Sequence, residues 1–260
     1  MTTAVIPCGG RGTRIAPLAR ATPKELLPVA GKPLLQWTLE EAAAAGIERV
    51  VVVTSPTKPQ LAEFLTARPP DRLTTSVVVQ PEPRGLGDAI TCARAVVGAD
   101  TVAVMLPDNL FRASCPMRPV LDAHGRTGQP AVLLAEIGAR DAATRGPTGR
   151  ARCRPRADGL YDVLAVASKG SRADGFDAGS GPSALTPIGR MAFDAAVFDL
   201  FESERRRLAP GAELDDVPVL QALAAANRLV GVRLAGDFFD VGVPEGYRAA
   251  LAALHPGVYP

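Results

Sequence analysis

Runs of β-branched and apolar residues, each followed by a helical pattern, constrain this chain more than any other feature. Thr2–Pro7 reads as a short buried strand. "RVVVVT" (Arg49–Thr54) is continuous rather than alternating, the mark of a strand covered on both faces. "TSVVVQ" (Thr75–Gln80), "TVAVMLPD" (Thr101–Asp108) and "PAVLLAEI" (Pro130–Ile137) repeat the theme. Between them lie helical stretches over Pro33–Ala45, Thr57–Ala67, Gly87–Val97 and Pro116–His124. Pro33 near the first turn and Gly46 just past the end punctuate the first of these. Strands alternating with helices predict an α/β fold with a Rossmann-like, mainly parallel sheet flanked by helices.

After Gly138 the rhythm changes. Residues Arg145–Gly181 are rich in Gly, Arg, Asp and Ser, with one strand expected at Tyr161–Ala167. A strand at Ala184–Phe193, helices at Ala195–Arg205 and Leu214–Ala226, a strand at Leu229–Gly236 and a helix at Pro244–Leu254 complete the reading. Because strands resume on both sides, the irregular stretch is an insertion over one domain rather than a linker. The expectation is a single domain over 1–260, with a first half to 138 and a second half from 139.

Ligands of open α/β sheets bind beyond the carboxyl ends of the strands. Those ends read "PCGGRGTR", "QPEPRGLG", "LPDN" and, near the C-terminus, "FFDVG". Gly9, Gly10 and Gly12 let backbone approach a ligand and offer N–H groups to phosphate oxygens. The cluster is neither a Walker loop nor a full G-x-G-x-x-G, since Ile15 stands where the third glycine belongs. Alone it is equally a plain turn. Arg14, Arg20 and Lys24 on the same loop shift the balance, because arginine grips phosphate bidentately and lysine acts as a point charge. Asp108 and Asp240 are costly to bury unless paired or metal-bound. Each alone is as compatible with a turn or cap aspartate, but two meeting at one sheet edge suit Mg²⁺ shared with phosphates.

Other classes are disfavoured. A formal net charge of +2 is too small to argue for nucleic acid or an anionic membrane. Cys8, Cys92, Cys115 and Cys153 are scattered without a C-x-x-C, as expected of free thiols in a reducing cytoplasm. No apolar run approaches the roughly 20 residues needed to span a bilayer, and no signal peptide is read at the N-terminus. A cytoplasmic protein is expected. His124 and His255 fall outside the strand-end segments and are expected at the surface.

The stretch "GGRGTRIAPLARATPKELLPVAGKP" resembles the signature of sugar-1-phosphate nucleotidylyltransferases, G-x-G-T-R followed by P-K-E-x-L-P and K-P. It is most like the bacterial UTP–glucose-1-phosphate uridylyltransferase branch. "QPEPRGLGDAI", "LPDN", "SALTPIGRMAF" and "FFDVGVPEGY" resemble further segments of that family, so the likeness covers nearly the whole chain. It implies the nucleotide-diphospho-sugar transferase fold, with a small irregular sugar-binding insertion. It also implies that Gly10, Gly12 and Thr13, beside Gly9, cradle the nucleotide. Arg14 would hold the leaving phosphates, Lys24 the charge at the α-phosphate, and Gln80 the pyrimidine edge, with Gly85 against the base. Asp108 and Asp240 would bind Mg²⁺. The implied partners are a nucleoside triphosphate and a sugar 1-phosphate. Related enzymes assemble as dimers or tetramers, so a homo-oligomer is a further expectation.

Departures from the pattern concentrate in the sugar-handling half. The family's E-K-P appears as Ser168-Lys169-Gly170, its Y-G turn as Arg145-Gly146, and the asparagine of its S-N pair as Ala184. A spacer lysine is Arg20, a helical insertion is missing between Leu65 and Thr74, and the usual long C-terminal extension is not seen. Losing a charge-assisted hydrogen bond to a sugar hydroxyl costs roughly 1.5–3 kcal/mol if nothing replaces it. Gly146, Ser168 and Lys169 are therefore read as a sugar-phosphate site with altered specificity. UTP is favoured, then dTTP. Two alternatives stand beside this reading: Ser168 opens space for water or another side chain that still holds glucose, or the chain is a weakened relative that binds nucleotide or sugar phosphate as a regulatory subunit.

Overall fold

The computed structural model describes residues 1–112, 115–138, 149–168 and 183–254. Strand β1 (Thr2–Pro7) runs into the glycine turn. A short helix α1 (Ala16–Ala19), a 3-10 turn (Lys24–Leu26) and a small ribbon of β2 (Pro28–Val29) and β3 (Lys32–Pro33) follow. They lead to α2 (Leu34–Ala44), β4 (Arg49–Thr54), α3 (Pro59–Ala67) and β5 (Thr74–Val79). Next come α4 (Leu86–Cys92), α5 (Arg94–Val97) and β6 (Thr101–Met105). The predicted helix over Gly87–Val97 divides at Ala93, whose N–H bonds Ile90 in a tighter i,i+3 step.

Beyond β6, β7 (Asn109–Arg112), α6 (Met117–Thr127) and β8 (Ala131–Gly138) close the first half. The second half comprises β9 (Ala151–Pro155), β10 (Tyr161–Val166), β11 (Ser183–Phe193), α7 (Val197–Arg207) and α8 (Val217–Ala225). It ends with β12 (Val230–Arg233), β13 (Asp237–Asp240) and α9 (Pro244–Ala253). Where one strand was expected in the insertion there is an antiparallel hairpin, β9 with β10, which lets Arg154 pair with Asp162 across the strands.

Among the described residues a nine-stranded sheet has the order β5-β4-β1-β6-β11-β8-β12-β10-β9. The run β5-β4-β1-β6 is parallel, as is β12 with β8, while β11 enters antiparallel between β6 and β8. The sheet is thus mixed, with its continuous parallel run in the alternating first half. Side-chain alternation sorts the core. Ala4 and Ile6 of β1 face α2, α3 and α6, while Val5, with Val51 and Val53 of β4, faces α4, α7 and α8. Burying each such valine contributes about 1.5–3 kcal/mol, which is why β1 and β4 fold as inner strands, whereas the similar run of β5 takes the sheet edge with Val77 and Val79 exposed.

A third apolar cluster positions the site. Ile15, Leu34, Leu110, Val241 and Ala250 are all at most 5% exposed and join the loop after β1 to β7, β13 and α9. Tyr247 adds a hydrogen bond from its hydroxyl to the Pro28 carbonyl, 2.8 Å.

Candidate active site

At the carboxyl end of β1, Cys8 N–H donates to Val53 O at 2.7 Å, extending the ladder by one step before the glycines begin. Gly10, Arg11, Thr13 and Arg14 are exposed on the following turn, and Gly12 stands against the Lys24 stem. Gly9 is dictated by space. A Cβ there would fall 2.2 Å from Gln80 Oε1, so no other residue fits without moving that amide. The N–H groups of residues 9–14 have no protein acceptor among the described residues.

Lys24 opens the 3-10 turn Lys24–Leu26 and lays its ammonium on Asp108 Oδ2. Both side chains retain some exposure, 16% and 14%. Burial pushes the Asp108 carboxyl up, but the Lys24 ammonium, helped by Arg14, outweighs it and holds the group below the usual carboxylate range. Burial likewise opposes the charge on Lys24, and Asp108 and Glu25 together raise it above its ordinary value. Asp108 is therefore a carboxylate and Lys24 an ammonium at neutral pH.

Asp240 reaches the same place through the ribbon of β7 and β13, in which it stands opposite Asn109. Val241 N–H then donates to Asp108 O at 2.8 Å, and Gly242 N–H to Asp240 Oδ1 at 3.0 Å. Gly242 fills the gap between the carboxylates. A Cβ at that point would stand 3.0 Å from Asp108 Oδ2 and 3.0 Å from Asp240 Oδ1. Two hard oxygen donors facing one space suit a divalent cation such as Mg²⁺. Among the described residues no third His, Cys, Asp or Glu joins them to make a complete protein cage. The arrangement fits an ion that takes its remaining ligands from phosphate and water.

Behind this cluster lies a network that sequence reasoning missed. Arg190, 1% exposed on β11, forms a bidentate pair with Glu41 (2.9 and 2.6 Å) and stacks on Phe111. It also donates to Leu106 O and Asn109 O, the two ends of the turn that carries Asp108. Asn109 Oδ1 accepts from Gly189 N–H at 2.8 Å. The signal was present: an arginine inside a buried strand demands a partner. Lys58 and Glu25 form a second buried pair beneath the glycine turn; Glu25 belongs to the P-K-E-x-L-P segment, but its pairing with Lys58 was not read from the sequence.

Gln80 lies directly beyond β5 and is almost fully covered. Its Nε2 donates to Asp88 Oδ2 at 2.7 Å and Gly85 O at 3.2 Å, leaving Oε1 toward Gly9. Asp88 is held in turn by Arg205 of α7 at 2.5 Å, and Arg205 also reaches Thr91. Gly85 adopts φ +104, and a Cβ there would meet the Leu214 backbone at 2.4 Å. The segment from Gln80 to Gly85 is thereby clamped between the first half and the loop before α8.

A cavity of about 470 Å³ opens between the two halves. Arg14, Asp108 and Asp240 line one side, and Pro187, Ile188 and Leu220 another. Gly149 and Val166 border it as well, and Gly149 packs so close to the Ala167 carbonyl that a Cβ would stand 2.3 Å away. Ser168 follows β10 and is exposed. Gly146 and Lys169 lie outside the described residues. His124 corrects an expectation: it is 7% exposed, not a surface residue. Its Nδ1 is 2.7 Å from the Gln129 carbonyl, which satisfies the ring while it packs at the end of α6. His255 lies outside the described residues. The four cysteines are unpaired, and burial pushes the Cys153 thiol up to about 12.

The chain matches the nucleotidyl transferase family over residues 3–255. A UTP–glucose-1-phosphate uridylyltransferase of Bacillus subtilis is 29% identical over 266 residues, spanning 94% of this chain and 87% of the relative. The enzyme of the same name from Streptococcus pyogenes is 30% identical over 274 residues, spanning 94% and 85%. Among solved structures, a UDP-glucose pyrophosphorylase complexed with UDP-glucose superposes with a TM-score of 0.82 at 26% identity, covering 97% of this chain and 98% of that one. With a family match along nearly its whole length and a sheet that superposes on such an enzyme, this chain belongs to the nucleotidyl transferase family.

Proposed function

We propose that the protein joins a nucleoside triphosphate, UTP first and dTTP second, to a sugar 1-phosphate, with Mg²⁺ held between Asp108 and Asp240. The observation that carries this reading is the convergence of Lys24, Asp108 and Asp240 beneath a turn whose amide groups at residues 9–14 have no protein acceptor among the described residues. Mg²⁺ bound there would neutralise phosphate charge. Arg14, exposed at the cavity wall, grips the β- and γ-phosphates bidentately. A phosphate oxygen of the sugar 1-phosphate attacks the α-phosphorus in line. The bond from that phosphorus to the bridging oxygen breaks, and pyrophosphate leaves with the electron pair. No strong base is needed, because the attacking phosphate is already anionic. Lys24 exchanges Asp108 for the α-phosphate as charge builds there.

Gln80 and Gly85 would receive the base, and the family resemblance assigns the sugar phosphate to Ser168, Lys169 and Gly146. Serine at the place of a family glutamate supports a substrate other than, or beyond, glucose 1-phosphate. Incubation with each NTP, Mg²⁺ and a panel of sugar 1-phosphates, followed by pyrophosphate release, tests the reading. The expected outcome is turnover with UTP and a sugar 1-phosphate, and its abolition in Asp108→Asn without loss of fold. Nucleotide binding without turnover on any pair would favour a regulatory relative instead.

A further inference from the structure

The buried pair behind the glycine turn has no place in the chemistry above, yet it touches the turn directly. Lys58 follows β4 after the turn Ser55-Pro56-Thr57, and its side chain is 9% exposed; that of Glu25 is 0% exposed. The Lys58 ammonium donates to Cys8 O at 2.7 Å, to Gly10 O at 2.6 Å and to the two Glu25 oxygens at 2.9 and 3.0 Å. All three of its protons are used. Glu25 belongs to the segment that also supplies Lys24, so one ammonium fastens both phosphate-facing segments to each other.

The carbonyls it draws inward fix the direction of the peptides they belong to. A trans peptide is planar, with C=O and N–H on opposite sides. With Cys8 O and Gly10 O turned onto Lys58, the N–H groups of Gly9 and Arg11 face away from the ammonium. Neither has a protein acceptor among the described residues. We propose that Lys58, anchored by Glu25, is a positioning residue that orients the Gly9 and Arg11 amides as donors to the nucleotide's phosphates. The ammonium never meets the substrate; it acts through the two peptide planes. This inference rests on the nucleotide reading above and adds to it the device that presets the donors, so no turn reorganises when phosphate arrives.

The test is a binding series of uridine, UMP, UDP and UTP at constant Mg²⁺, read by calorimetry. The single change Lys58→Met strands a buried carboxylate, so the diagnostic variant is Lys58→Met with Glu25→Gln, checked for fold by circular dichroism. The expected result is unchanged uridine affinity and a loss that grows with phosphate number, reaching about tenfold for UTP. Equal losses for uridine and UTP, or an intact phosphate increment, would overturn the inference while leaving the nucleotide reading in place. Absence of any phosphate increment in the unaltered protein would overturn the nucleotide reading itself, and the inference with it. Independently, the ¹⁵N amide resonances of Gly9 and Arg11 in the unaltered protein should move with UTP and not with uridine. If they stay fixed, the amides are not the donors.

Discussion

The front and the back of the glycine turn each carry a lysine–carboxylate pair, and the two pairs are built for opposite purposes. Lys24 and Asp108 meet at the cleft, keep partial exposure, and hold each other by a single contact. Lys58 and Glu25 lie sealed behind the turn, and the ammonium spends every proton on fixed acceptors. A pair with one contact and access to water can trade partners when a phosphate arrives. A pair that is dry and fully satisfied cannot leave without stranding a buried charge. The same two residue types thus give a mobile charge on one face of a turn and a brace on the other.

The largest expected effect breaks that comparison open. Lys24→Met should lower kcat by about 10²–10³-fold, the usual cost of removing one electrostatic donor aimed at developing charge. Its melting temperature should change little, because the released Asp108 keeps partial exposure to water and the favourable field of Arg14. Lys58→Met alone should show the reverse emphasis, a stability loss of about 3–5 kcal/mol from the unpaired Glu25. Steady-state kinetics with denaturant unfolding on both variants separates the two roles. Equal stability losses would erase the distinction.

Gly242 sharpens the front of the comparison. In Gly242→Ala the new methyl would stand 3.0 Å from an oxygen of each carboxylate and push them apart. A displacement of this order at reacting groups costs about 10²-fold in rate. The change should therefore fall on kcat and on metal dependence, with a small effect on the fold, as a Mg²⁺ titration of activity would show.

How much of this was legible beforehand follows from what leaves a pattern. Arg49–Thr54 was read to the residue because a strand buried on both faces has no polar positions to blur its limits. The strand-end rule collected Asp108 and Asp240 correctly into one region. The ribbon that joins them, Asn109–Arg112 with Asp237–Asp240, was invisible because four residues are too few to display alternation. The pairing of Lys58 with Glu25 gave no signal either, although Glu25 belongs to the P-K-E-x-L-P segment. A buried charge looks like any surface charge until its partner, 33 residues away in sequence, is known. His124 misled for the same reason, since a polar residue near a helix end reads as solvated until the Gln129 carbonyl is found beside it. Gly146 and Lys169, on which the sugar reading leans, lie outside the described residues.

A smaller effect is expected on the base side. Arg205 does not approach the cleft's phosphate end; it holds Asp88, which holds the Gln80 amide with its nitrogen inward. Arg205→Met frees Asp88 and lets the amide sample both orientations. The KM for UTP should rise roughly 3–10-fold, the worth of about one hydrogen bond, with kcat nearly unchanged. Selectivity for UTP over CTP should narrow in parallel. A fall in kcat instead would mean that α7 supports the phosphate end as well.

The smallest effect is the pH dependence of stability contributed by the front pair. The folded Asp108 carboxyl lies below its ordinary value of 3.8, so its contribution is complete above that pH and fades as pH falls through the lower folded value. The folded Lys24 ammonium lies above its ordinary 10.5, so its contribution is complete below that pH and fades as pH rises through the higher folded value. Between these limits the pair adds a constant term, and neutral-pH measurements cannot reveal it. Asp108→Asn removes the acid limb outright and, by removing the chief charge that supports Lys24, weakens the alkaline one. The difference in melting temperature between the unaltered protein and Asp108→Asn should therefore be flat from about pH 5 to 9 and shrink toward zero on acidification below about pH 4. A difference that persisted unchanged into strong acid would mean that the front pair, like the back one, stabilises through fixed packing rather than through exchangeable charge.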